Sequence, residues 1–254
     1  MAEKDCSEVG LAEKSNPTAG GGRKERQTGI LEGDKMKKFP DYKTAKWDKR
    51  KDVILKGMHY DYEELESLNS DYLNGKINEV KYHSLLSLCF SRIARNEFMQ
   101  GRHRECYVCV SKQIDEFALA VQLLQEGRDA PAATKRHIES CLKSIYYGCA
   151  ALFVSNYDVI PKVTSPDSNL VQMLLHKTVK QAVDDPIDEM INAISLKNSE
   201  QFETALIKRI KEIRRFDIDH FLCMDIWSMG LIKEAKKNGL HFHSDYIEVD
   251  CKDR

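Results

Sequence analysis

Apolar residues recur along most of the chain at intervals of three and four, and almost nowhere at intervals of two. That spacing marks one face of a helix rather than one face of a strand. Tyr62, Leu65, Leu68 and Tyr72 predict a helix over Asp61–Asn74, stopped at Gly75. Tyr82, Leu85, Leu86, Cys89 and Ile93 predict a longer one over Asn78–Gln100, ended by Gly101. Cys106, Val110, Ile114, Phe117, Val121 and Leu124 predict a third over Glu105–Glu126, ending at Gly127. Asp129 is a candidate cap for a fourth, with Pro131 in its first turn. Its stripe runs through Ile138, Cys141, Leu142, Ile145, Cys149 and Leu152 as one continuous helix. A loop holding Pro161 and Pro166 follows. Ser168 or Asp167 then caps a helix to about Ala182, and Asp184-Asp185-Pro186 starts a short one ending near Leu196.

The densest pattern lies in Asn198–Tyr246. Asn198 is a candidate cap, with Gln201 placed three residues on to return a bond to its backbone. Phe202, Leu206, Ile210 and Ile213 fall on one helical face. Phe221, Leu222, Met224, Ile226, Trp227, Met229, Leu231 and Ile232 then point in nearly every direction. A helix apolar all round is buried, so Asp219–Asn238 is expected to be the central helix of the fold. Asn238-Gly239 supplies a left-handed stop on which Leu240 closes back, and Lys233, Lys236 and Lys237 suit the negative end of the dipole. HFHSDYIEV reads as a short extended tail.

These elements predict an all-α fold, a compact array of about seven to eight antiparallel helices with short turns. Residues 61–254 are expected to form a single all-α domain. Helical hairpins stacked as repeats remain an alternative, although no self-similarity with a repeat period is present. Residues 1–34 are small, polar and charged around Gly20-Gly21-Gly22, which predicts a disordered leader. Residues 35–60 form a basic, aromatic lead-in. Its first 22 residues hold nine basic side chains against Asp41, Asp48 and Asp52, interleaved with Phe39, Tyr42 and Trp47.

The same Asn198–Tyr246 stretch resembles the C-terminal half of the immunity protein 49 family of bacterial polymorphic toxin systems. The residues that carry the likeness are Phe202, Leu206, Ile210 and Arg214, the Leu222–Ala235 run, Gly239-Leu240, and Ser244-Asp245-Tyr246. The family's usual proline after the tyrosine is missing; Glu248 and Val249 stand there. The resemblance implies an immunity protein that binds a cognate toxin protein and neutralises it by protein–protein inhibition, without catalysis.

Charge and composition narrow the rest. With 39 Lys+Arg against 40 Asp+Glu the formal net charge is −1, so nothing global favours nucleic acid or an acidic membrane surface. The basic lead-in is therefore read as a solvated segment whose aromatics dock on the helical body, in preference to a nucleic-acid-binding arm. No apolar run approaches the roughly 20 residues that span a bilayer. Residues 1–35 hold no apolar core of a signal peptide. With eight cysteines, several on apolar helical faces, the expected setting is the reducing cytoplasm, with no disulfides.

Candidate chemistry is sparse. No phosphate-binding glycine loop, nucleophile elbow or H-E-x-x-H is present, so no enzymatic activity, cofactor or metal is expected. Cys106 and Cys109, with His103 nearby, form a C-x2-C without a second pair, and packing is the preferred reading. His241, His243 and Asp245 alternate in the tail and read as chance neighbours rather than ligands. Asp217, Asp219, His220 and Asp225 cluster at the start of the central helix, where capping and a buried hydrogen bond for Asp225 are expected. The partner-binding candidates are Asp184, Asp185, Asp188, Glu189, Asp217, Asp219, Asp245 and Tyr246, an acidic set suited to a basic toxin. A helical scaffold that binds a peptide in a groove of Tyr146, Tyr147 and Tyr157 is the second reading. A helical enzyme using the Asp217–Asp225 region is the third.

Overall fold

Every helix needs somewhere to put its last carbonyls, and this fold settles most of its helix ends in one way. The computed structural model describes residues 45–179, 185–215 and 224–243, all within one unit of the chain, Met36–Arg254. Their regular elements are helical: α1 (Ala45–Leu73), α2 (Glu79–Met99), α3 (His103–Gln125), α4 (Ala132–Lys143), α5 (Tyr146–Val154), α6 (Ile160–Val163), α7 (Asn169–Leu174), α8 (Pro186–Ser195), α9 (Ser199–Arg215) and α10 (Ile226–Lys237), with a 3-10 turn at Tyr157–Val159. At the end of α10 the Gly239 amide donates to the Lys236 carbonyl and the Leu240 amide to that of Ala235, with Gly239 at φ 81°. This is the Schellman closure that Asn238-Gly239-Leu240 predicts. The same pair of bonds closes α1, α2 and α3, again on glycines.

Three further ends use the same closure without glycine. Ser155, His176 and Lys197 sit at φ 59°, 53° and 52° after α5, α7 and α8. These ends lack the residue that normally announces them. The helix expected to reach Ala182 therefore stops at Leu174. At its start Ser168 is the cap, its hydroxyl accepting from the Val171 amide.

The predicted fourth helix is two. Ser144 leaves the helical region at ψ 146°, and its hydroxyl accepts from the Tyr146 amide. The Leu142 carbonyl, released by the break, accepts from the Ser165 amide. The stripe from Ile138 to Leu152 could share one face only in a straight helix. The break lets α4 stay at the surface while Tyr147–Val154 of α5 is buried throughout. Asp129 bonds to the Ala130 amide instead of capping α4. The expected loop after α5 contains the 3-10 turn and α6.

Helix α5 is the interior rod, and α10 lies across it. Tyr146 meets Trp227 and the Lys233 ammonium meets the Phe153 carbonyl. A Cβ added at Gly230 would collide with the Cys149 carbonyl. Partners advance together along both helices, so this pair is parallel. In α1–α2, α2–α3 and α8–α9 the partners run in opposite senses. Ile226 and Met229 are buried as expected, at 2% and 6% exposed, but the innermost position belongs to α5 and not to this helix. Leu222 and Phe221 lie outside the described residues. The helix begins at Ile226, seven residues later than expected, with Asp225 at its cap position.

Phe202, Leu206, Ile210 and Ile213 of α9 are all buried in the main core, as their spacing predicts. Asn198 caps α9 by accepting from the Gln201 amide. The expected return bond to the Asn198 amide is pre-empted, because that amide already closes α8 on the Ala193 carbonyl.

Helix α1 starts at Ala45 and runs unbroken through the boundary expected at residue 60. Residues 45–60 contain no proline and many good helix formers. The nucleic-acid reading of the lead-in falls on residues 35–44 and on side chains outside the described ones. Farther along, α1 is held to α2 by a small separate core of Leu68, Leu86 and Cys89. Polar contacts add to it: Arg92 pairs with Asp61 and Glu64, and Asn96 donates to Asp61. Among the described residues no helix is long and apolar enough to cross a membrane.

Replacing Gly230 by alanine should therefore overpack the α5–α10 crossing. The expected cost is about 1–3 kcal/mol, read as a lower denaturant midpoint at unchanged slope.

Candidate functional site

Three of the acidic candidates, Asp185, Asp188 and Glu189, lie on α8 or its N-terminal cap, and only Glu189 reaches the recess beside α9. Asp185 occupies the cap of α8, its Oδ1 accepting from the Ile187 amide at 2.8 Å. Asp188 accepts from Asn169 at 3.0 Å. Both Glu189 oxygens accept from the Lys208 ammonium, at 2.7 and 2.8 Å. Asp184, Asp217, Asp219, Asp245 and Tyr246 lie outside the described residues, as does His220. Beside Glu189 is an open recess of about 490 Å³, lined by Glu189, Asn192, Asn198, Glu200, Gln201 and Thr204. Every lining residue is polar, and both charged ones are carboxylates. Asp185, at the N-terminal cap of α8, is not part of that lining.

Asp225 is the one member of the acidic cluster at the start of α10 that lies among the described residues. Its carboxylate is buried, and it accepts from Arg209 Nε at 3.0 Å, Arg209 Nη2 at 3.3 Å and Ser228 Oγ at 2.6 Å. Arg209 also lies 5.7 Å from the Trp227 ring, and Trp227 meets Tyr146 edge-on at 4.9 Å. The carboxylate thus ties α9 to the start of α10, meeting the need of a buried acid for a partner. Glu234 has a similar role on α10: its oxygens accept from Tyr157 at 2.6 Å and Asn238 at 2.8 Å. Burial and the hydrogen bond to Glu234 raise the Tyr157 pKa.

Cys106 and His103 take packing roles. Cys106 is fully buried, its thiol 3.8 Å from the Met224 sulfur. His103 stacks on Phe98 at 5.7 Å. The described residues contain no group of three His, Cys, Asp or Glu side chains placed to hold a metal. Burial pushes the Cys89 thiol up to about 12 and the Cys109 thiol up to about 11, and raises Cys149 as well. Thiols held this way are poor nucleophiles. The His241 amide donates to Ser199, and the His241 and His243 side chains are exposed.

The predicted tyrosine groove does not form. Tyr147 is 2% exposed and stacks on Phe117, and Tyr146 is half-buried with its hydroxyl on Ser91. Tyr157 alone of the three lines a groove, a different one. It has a volume of about 520 Å³ and lies against α6, α7, α8 and α10. Its lining includes Leu175, His176 and Lys197, which the sequence did not single out, and Lys237, expected only as a partner of the helix dipole. The one signal available was a Leu-His and a Leu-Lys pair at helix ends lacking glycine. Comparison of the chain with models of known families, with curated proteins and with solved structures returns no match.

Two tests follow from these contacts. Arg209→Met leaves the Asp225 carboxylate buried without its cation, and should cost about 3 kcal/mol of unfolding free energy in denaturant titrations. The buried thiols set an alkaline limit. Their folded pKa values exceed the ordinary value of 9.0, so the folded chain keeps protons that the unfolded chain releases. Stability is unaffected by these groups below about pH 9 and falls as pH rises above it, measured as a declining denaturant midpoint.

Proposed function

We propose that the chain is an immunity protein: it binds a cognate toxin protein and neutralises it by covering the toxin's active site or substrate path. The observation that carries this reading is the all-polar, acidic recess at the α8–α9 corner. Glu189 and Glu200 line solvent-accessible space there, and Asp185 is exposed at the start of the same helix α8. A basic toxin surface is its natural complement, and complementary charge speeds encounter and rejects wrong partners. The likeness of Asn198–Tyr246 to the immunity protein 49 family supports the same reading. Phe202, Leu206 and Ile210, which carry part of that likeness, form the α9 face that positions the corner.

Mechanistically this is inhibition by occupancy. A stable complex needs about 800 Å² buried on each partner, so the recess would be one part of a wider contact. The pair of Glu189 with Lys208 is half-exposed, and such pairs contribute little to stability, roughly 0–1 kcal/mol. Glu189 can therefore exchange Lys208 for a toxin cation at small cost.

Co-expression with a candidate toxin domain, sought among the genes beside its own, tests the reading. The intact chain should protect the host. Reversing Asp185, Glu189 and Glu200 to lysine should slow association about tenfold or more at low salt, with little effect at high salt. A host that dies despite folded, abundant chain refutes the function. Protection and association rates unchanged by the reversal refute the acidic surface.

A further inference from the structure

We propose that the groove against α6, α7, α8 and α10 is a second docking site, for an acidic segment of a partner protein that carries apolar side chains. The proposal goes beyond the toxin reading and stands whether or not the partner is that toxin. The floor of the groove is apolar, built from Ile160, Val171, Met173 and Ile194. Leu175, at its edge, is 55% exposed. An isolated exposed leucine is ordinary. One on the lip of an apolar groove extends the surface that an incoming side chain can cover.

The charge of the groove selects the partner. Its lining contains one carboxylate, Glu234, whose two oxygens are already engaged by Tyr157 and Asn238. Against it stand the ammonium groups of Lys197 and Lys237 and the imidazole of His176. The Lys237 ammonium is held 3.6 Å from the centre of the Tyr157 ring, on the groove wall. Among the described residues neither lysine pairs with a carboxylate. The ends of α7, α8 and α10 would bring partial negative charge here. Each is closed by its Schellman pair, which engages two of the exposed carbonyls. The side chains of the lining carry two ammonium groups against one carboxylate, and an acidic segment is complementary to that excess.

Backbone strain sits at the same place. His176 and Lys197 both occupy the left-handed region at φ 53° and 52°, where glycine is the unstrained residue. Glycine fills the equivalent position after α1, α2, α3 and α10, so the closure itself does not require a side chain. Both of these residues line the groove, whereas the third non-glycine residue of this conformation, Ser155, does not. Strain kept at a binding surface is a recurrent feature of functional sites.

Selection from a random dodecapeptide phage library on the full chain tests the proposal. The expected outcome is enrichment of peptides rich in Asp and Glu with two spaced large apolar residues. Their binding should weaken about tenfold or more on a Leu175→Asp/Lys197→Glu variant. Leu73→Asp, which changes an exposed leucine on α1, should leave it unchanged. Lys197→Gly supplies the second arm: it should weaken binding while the melting temperature stays level or rises. A basic consensus, no enrichment, or equal binding to wild type and the double variant would overturn the proposal. So would a chain dimer that Leu175→Asp dissociates, because the groove would then be an interface between two copies.

Discussion

The approach of α10 to α5 at Gly230 is the constraint on which the rest of the structure depends. With no Cβ at that position, the backbone of α10 comes directly against the Cys149 carbonyl. Gly148 and Ala150 keep α5 thin on either side. Two apolar helices at this distance exclude water along their whole contact and give α3, α6 and α8 a fixed surface to pack on. Close approach also brings polar anchors within reach. Lys233 donates to the Phe153 carbonyl and Tyr107 to that of Val154, so the C-terminal end of α5 is satisfied by side chains from its neighbours. The Lys233 ammonium lies 5.6 Å from the Tyr107 ring, which joins the two anchors into one cluster.

Buried charge follows from the same packing. Asp225 precedes α10 and would be an isolated carboxylate in the core. Arg209 and Ser228 neutralise and bond it, and Trp227 covers the guanidinium. Glu234 is handled likewise by Tyr157 and Asn238. In both cases the acid joins α10 to another segment. These acids are positioned for cohesion between segments. The surface chemistry lies elsewhere, around the α8–α9 turn. An acidic recess flanks one side of that turn and a basic, apolar groove the other, the two sharing a helix that is only ten residues long. A partner reaching around the turn would meet both signs of charge, which favours one orientation over all others.

Legibility of these features tracks how local their causes are. The helical class, the α9 stripe and the stop at Gly239 were readable because periodicity and a left-handed glycine act within a few residues. Asp225 was readable as a buried acid in need of a partner. That the partner is Arg209 was not, since sixteen residues separate them in the chain. The end of α7 was missed because His176 takes the glycine's conformation without being glycine. The break at Ser144 was missed because the apolar stripe continues through it.

By itself, then, the order of residues determined which segments coil into helices, where the glycine-marked ends fall, and which faces are apolar. Those are consequences of backbone sterics and of side-chain spacing over one or two turns. Tertiary structure alone decided that α5 is the innermost helix, that α10 runs parallel to it, and that Leu175, His176, Lys197 and Lys237 share one groove. Each of those depends on surfaces far apart in the chain being pressed together, and the deciding quantity is the distance between two backbones, which no single segment encodes.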